Sequence, residues 1–172
     1  CVVCGALCVA LTSCRTQTDR DPIIPTEACK DLRPGDIVFR RGTGVVSQIV
    51  TTADIQGKYS HVGIVAATDS GLVVIHAVPD EPDFHSDVDR VKAERPETFF
   101  STFRAQCGAV GRPLDADAAY RASLRALRAC ERRTLFDHDF NDADTTQLYC
   151  CELITLAFGQ EEVCINATGP HH

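Results

Sequence analysis

Basic residues are scarce in this chain: 17 Lys and Arg stand against 24 Asp and Glu, giving a net charge of -7 at pH 7. A surface that tracks phosphates needs clustered Lys and Arg, so no nucleic-acid partner is expected. Length is limited as well. At 172 residues the chain can bury one sizeable core but not two ordinary ones. CVVC at the start has no second CxxC at zinc-finger spacing. There is no apolar run long enough to cross a bilayer as a mature helix, no internal repeat and no low-complexity tract. Hydrophobic residues at 44% and charged residues at 24% are the balance of a soluble globular domain.

Cysteine, by contrast, is abundant, with ten residues. Three of them lie in "CVVCGALCVALTSC" before Cys14, an apolar stretch with the character of an export signal's h-region. Its end, Leu11-Thr12-Ser13-Cys14, resembles a bacterial lipobox. The expectation is a signal segment over 1–14, with Cys14 as the lipid-bearing residue of an exported, membrane-anchored envelope lipoprotein. The rival is a buried or uncleaved apolar segment. Residues 15–31 are polar with two prolines and read as a tether, which leaves 32–168 as the folded domain.

Within that domain Pro34-Gly35-Asp36 supplies a turn before a β-prone run, Ile37 to Phe39. Residues 45–54 suggest a short helix. "HVGIVAA" and "LVVIHAV", separated by "TDSG", predict a hairpin over 61–78. The charged, proline-punctuated stretch 79–97 reads as a surface excursion. Residues 115–133 predict an amphipathic helix, with Asp at its positive end, Arg at its negative end and an apolar stripe of Tyr120, Leu124, Leu127 and Cys130. A last helix begins near Cys150, with Leu153, Ile154, Ala157 and Phe158 on its core face.

The hairpin has a chemical consequence. If its turn holds an even number of residues, His76 falls opposite Gly63, and His61 and His76 share a face as diagonal neighbours. Val62, Ile64, Val73 and Ile75 then face the core. A thiol reacts as thiolate, a nearby imidazole can activate it, and a third group fixes that imidazole. A helix N-terminus adds a favourable dipole and N–H donors for an oxyanion. Cys150 and Cys151 sit where such a helix begins. Taken singly, each cysteine also suits a core position. His85 and His138, in acidic loops, are expected to be solvated, and the Asp residues of 137–144 lack the spacing of an EF-hand.

"GDIVF", "SHVGIV", "VIHAVP", "FDHDF" and "YCCELI" together resemble the permuted papain-like cysteine hydrolases. These are the YiiX-like branch of the NlpC-type cell-wall amidase superfamily, with lecithin retinol acyltransferase as a more distant cousin. The resemblance spans Leu32 to Phe158. It implies an α+β, circularly permuted papain-like fold, with a mostly antiparallel sheet packed against the cysteine helix. It implies His61 as general base, Cys150 as nucleophile and His76 at the third position, where the closer branch often has Glu. Cys151 takes the place of a small residue and is expected to pack. No cofactor or metal is implied. The reaction implied is acyl transfer through a thioester, with His61 and the Cys150 thiolate as an ion pair. The expected substrate is an amide in a cell-wall peptide or related small peptide, or alternatively a lipid-like ester or amide. A non-catalytic zinc- or disulfide-stabilised binder using Cys150, Cys151, His61 and His76 is the rival from another class.

Overall fold

A computed structural model describes residues 29–43, 58–140, 146–159 and 164–168. The signal segment, most of the tether, the helix expected over 45–54 and part of the acidic stretch 137–144 lie outside the described residues. Cys29 is buried with Leu32 in the core, so the folded body already includes a residue assigned to the tether.

Eight strands form one sheet. In chain order they are β1 (Ile37–Gly42), β2 (His61–Thr68), β3 (Gly71–Val78), β4 (Arg90–Glu94), β5 (Ala105–Pro113), β6 (Leu135–Phe136), β7 (Gln147–Leu148) and β8 (Ile165–Thr168). Their spatial order is β7-β6-β4-β3-β2-β1-β5-β8. Every pairing is antiparallel except β6 with β7. Among the described residues the sheet is accompanied by the helices α1 (Pro96–Phe99), α2 (Ala116–Glu131) and α3 (Cys150–Phe158). The architecture is α+β, as expected.

The hairpin forms with Thr68 opposite Gly71 and Ile64 opposite Ile75, so its turn holds the two residues Asp69 and Ser70. The even parity sends alternate residues to opposite faces. Ile37, Val62, Ile64, Ile75, Ala77 and Val91 meet α2 and α3 on one face. Val38, Val65 and Val74 meet Phe99, Phe100, Leu32 and Cys29 on the other.

Helix α2 starts where expected because the Asp115 side chain caps it, accepting from the N–H groups of Asp117 and Ala118. Its buried face differs from the expected stripe. Tyr120 is exposed, Leu127 and Cys130 are half-buried at the core's margin, and Ala118, Ala119, Ala122, Ala126 and Ala129 are buried. Methyl-sized side chains let the helix axis approach the sheet and the β1 turn more closely than leucines would. Gly35, at φ +92, answers from the other side. A Cβ there would lie 2.3 Å from the Ala119 backbone.

The stretch 79–97 corrects another expectation. It contains β4, an interior strand between β3 and β6. Arg90, Val91 and Lys92 are buried. Arg90 and Lys92 are tolerated there because Asp83 and Asp87 pair with them at 2.9–3.1 Å.

Candidate active site

His61 opens β2 and His76 lies near the end of β3, and the hairpin register turns both rings to the same face. His61 Nε2 and His76 Nδ1 are 2.9 Å apart. The rings meet edge to face at 72°, and Phe99 packs against both. His76 is fully buried and His61 nearly so. Gly63 makes the pairing sterically possible, because a Cβ on it would lie 3.2 Å from the His76 Cβ.

Behind the rings lies an ionic cluster that the sequence reading missed. Glu94 Oε1 is 3.0 Å from His76 Nε2. The contact is close without being aligned as a hydrogen bond, and neither atom has a hydrogen-bond partner among the described residues. The other carboxylate oxygen of Glu94 takes Arg104 at 2.7 Å. Arg40, buried on β1, lies 3.7 Å from Glu94, pairs with Glu81, donates to the Phe99 carbonyl and stacks on the Phe99 ring. Burial raises the Glu94 carboxyl above 4.5, while Arg104, Arg40 and Lys92 oppose that rise. In the sequence, "RVKAE" on 90–94 does carry a strict charged/apolar alternation. That was the available signal for a strand with one ionic face.

Burial also sets the charge state of the rings. His61 and His76 are both held well below 6.5, first by desolvation and then by Arg40 and neighbouring cations. The resting state is therefore a pair of neutral imidazoles. This departs from the expected ion pair, in which His61 carries the proton of Cys150.

Cys150 begins α3. The half-buried side chain packs against the core on the helix side of the sheet, and the backbone N–H groups of Val62 and Cys151 face its sulfur. Val62 follows His61 but faces the helix side with Cys150, whereas the His61 ring packs on Phe99 on the other face, so the structure joins the two histidines to each other but not to the thiol. The helix start is secured by Glu152, whose carboxylate accepts from the Tyr149 N–H at 3.0 Å. Leu153, Ala157 and Phe158 are buried behind it.

Cys151 does not pack, contrary to expectation: it is exposed. The first turn of a helix diverges its side chains, and only one of two adjacent residues can face the sheet. The two thiols share a proton. The hydrogen bond from Cys150 lowers Cys151 to about 7. Cys150 is raised by holding that proton and by burial. The pair thus yields its first thiolate near neutrality and its second far above it.

No protein-family model matches the chain, and no curated protein matches it. Among solved structures, the metalloprotein YiiX from Escherichia coli O157:H7, DUF1105, superposes with a TM-score of 0.57 at 19% identity. The match covers 73% of this chain and 64% of YiiX. The fold is YiiX-like. On this YiiX-like frame all six cysteines among the described residues are free thiols, so they form no disulfide framework. No group of three or more His, Cys, Asp or Glu among the described residues is disposed to hold a metal ion. His61 and His76 direct ring nitrogens at each other and do not converge on a common point with the two cysteines. The donor set among the described residues does not fit a metal.

His85 is exposed. His138 is also largely exposed, with its Nε2 3.2 Å from Asp89.

Proposed function

We propose that the protein is a cysteine hydrolase of the permuted papain-like, NlpC-type kind, cleaving an amide through a thioester on Cys150. The observation that carries this reading is the His61–His76 pair at 2.9 Å, on the strand whose next backbone N–H meets the Cys150 thiol at a helix N-terminus.

The neutral rings favour general-base attack over a preformed ion pair. General-base attack requires the His61 ring, which packs with Phe99 on the opposite face of the sheet, to reach the Cys150 thiol around the start of β2; it then takes the thiol proton as sulfur adds to the carbonyl carbon. The negative charge moves to the carbonyl oxygen, where the Cys150 backbone N–H at the start of α3 can hold it. Collapse expels the amine with the proton from His61 and leaves a thioester. Water then adds with His61 again as base, releasing a carboxylic acid and restoring the thiol. His76 orients the His61 ring throughout.

A peptide is favoured over a lipid by a groove at the β6–β7 end of the sheet, which Cys150, His61 and His76 do not themselves line. The groove, of about 560 Å³, is lined by Asp80, Asp87, Asp89, His138 and Gln147, with Val88 and Phe136 as apolar walls. Gln147 belongs to β7, which leads directly into the cysteine helix. Such an acidic groove fits a cationic end of a peptide, whereas an acyl chain would require an apolar one.

The test is acylation by the activated ester p-nitrophenyl acetate, with the acyl group located by mass mapping. Wild type and Cys151→Ser should carry acetyl on Cys150, while Cys150→Ser and His61→Ala should not. Acetyl on Cys151 in the wild type, and none on Cys150, would overturn the assignment. Cleavage of small peptides bearing a free amino terminus then tests the substrate class.

A further inference from the structure

We infer that Glu94 is a positioning residue that fixes the tautomers of both histidines, placing the free lone pair of His61 on Nδ1. The catalytic meaning of this inference rests on the function proposed above; the tautomers themselves do not.

The derivation follows the hydrogens. A carboxylate has only acceptors; Arg104 holds the other oxygen of Glu94 at 2.7 Å, and Arg40 lies 3.7 Å from the oxygen that faces His76. With His76 Nε2 3.0 Å from Glu94 Oε1, the favourable state puts the His76 proton on Nε2. His76 Nδ1 is then an acceptor. Its neighbour at 2.9 Å is His61 Nε2, so that atom must carry a proton. A neutral imidazole has one N–H, so His61 Nδ1 is left unprotonated. Nδ1 is the ring nitrogen nearer the backbone. The chain Glu94, His76, His61 therefore runs in a single direction, and the carboxylate at its buried end sets that direction.

The cations around the cluster make the arrangement testable by an isosteric change. In Glu94→Gln the amide oxygen takes the position 2.7 Å from Arg104, which is a donor only. The NH2 then faces His76 Nε2. Each hydrogen bond in the chain reverses, and His61 acquires its proton on Nδ1. No group needs to move.

Nitrogen-15 NMR of histidine-labelled protein distinguishes protonated from bare ring nitrogens, with His61→Gln and His76→Gln supplying assignments. The wild type should show bare Nδ1 and protonated Nε2 on His61. Glu94→Gln should show the reverse, with acylation of Cys150 by p-nitrophenyl acetate slower by about 100-fold or more, the scale of a general base. Glu94→Asp, which keeps the carboxylate, should restore the wild-type tautomers and most of the rate. Protonated Nδ1 in wild-type His61 overturns the inference, as does a Glu94→Gln spectrum with unchanged tautomers. If Glu94→Gln does not fold, the wild-type spectrum decides alone. Expected tautomers with acetyl on a residue other than Cys150 would support the role of Glu94 and overturn the nucleophile; reversed tautomers with acetyl on Cys150 would do the opposite.

Discussion

Replacing Gly63 with alanine tests whether the hairpin makes room for the ring pair. An alanine Cβ would stand 2.7 Å from Val74 Cγ1, 3.0 Å from the Ile75 carbonyl oxygen and 3.2 Å from His76 Cβ. Carbon atoms pack best at about 3.5–4.0 Å, so all three neighbours must give way. Val74 has one stiff torsion, and the Ile75 oxygen belongs to the sheet backbone. His76 is left to absorb the shift, and its ring is held by a 2.9 Å contact on one side and a 3.0 Å contact on the other. Overpacking of this size costs about 2 kcal/mol, or a fall in Tm of about 4–8 °C for a domain of this length. The assay pairs thermal unfolding with the rate of Cys150 acylation. Ile64→Val is the control: it removes a methylene from the opposite, fully buried face at a cost of about 1 kcal/mol and should leave acylation unchanged. A Gly63→Ala protein with wild-type Tm and wild-type acylation would refute the reasoning.

Two further outcomes follow from the buried charges. Arg40→Met should lower the unfolding free energy in urea by about 3–5 kcal/mol, because Glu81 and Glu94 lose a fully buried partner; a loss below about 1 kcal/mol would show that Arg104 alone balances them. The depressed histidines predict acid sensitivity: below the unfolded value of 6.5 the unfolded chain binds protons that the folded one refuses. Stability should therefore be full above pH 6.5 and fall as pH drops toward the folded values, by up to about 2.7 kcal/mol per pH unit for two rings. Glu94, raised above 4.5, acts with the opposite sign, losing its contribution as pH rises through its folded value. The histidine effect is thus read as the difference between wild type and His61→Gln/His76→Gln over pH 7 to 5.5, and parallel curves would contradict it.

The hairpin and its parity were legible because they depend on period-2 alternation and a two-residue turn, both local. The ends of α2 were legible for the same reason, since Asp115 and the terminal arginines act within one turn. Its buried face was not. Hydropathy gives weight to Tyr120 and Leu124, whereas the sheet and the Gly35 turn select for closeness, which favours alanine. β4 was misread because its alternate residues are charged and satisfied by Asp83, Asp87, Glu81 and Arg104, partners that only tertiary pairing supplies. Glu94 was invisible as a site residue on the same ground, since it reaches His76 only through the β3–β4 register. The helix starting at Cys150 was legible from the apolar stripe behind it, and Cys151 was misjudged because an apolar run gives no sign of which adjacent residue faces outward.

The parts of the site are unevenly spread along the chain. His61 and His76 belong to one hairpin, and Glu94 arrives on the very next strand. Cys150 comes only after β5, α2 and the two short strands β6 and β7. Contacts close in sequence cost less loop entropy and form faster than distant ones, and synthesis proceeds from the N-terminus. On the ribosome, the two rings and the carboxylate can therefore assemble before α3 exists, and α3 docks onto a hairpin already built.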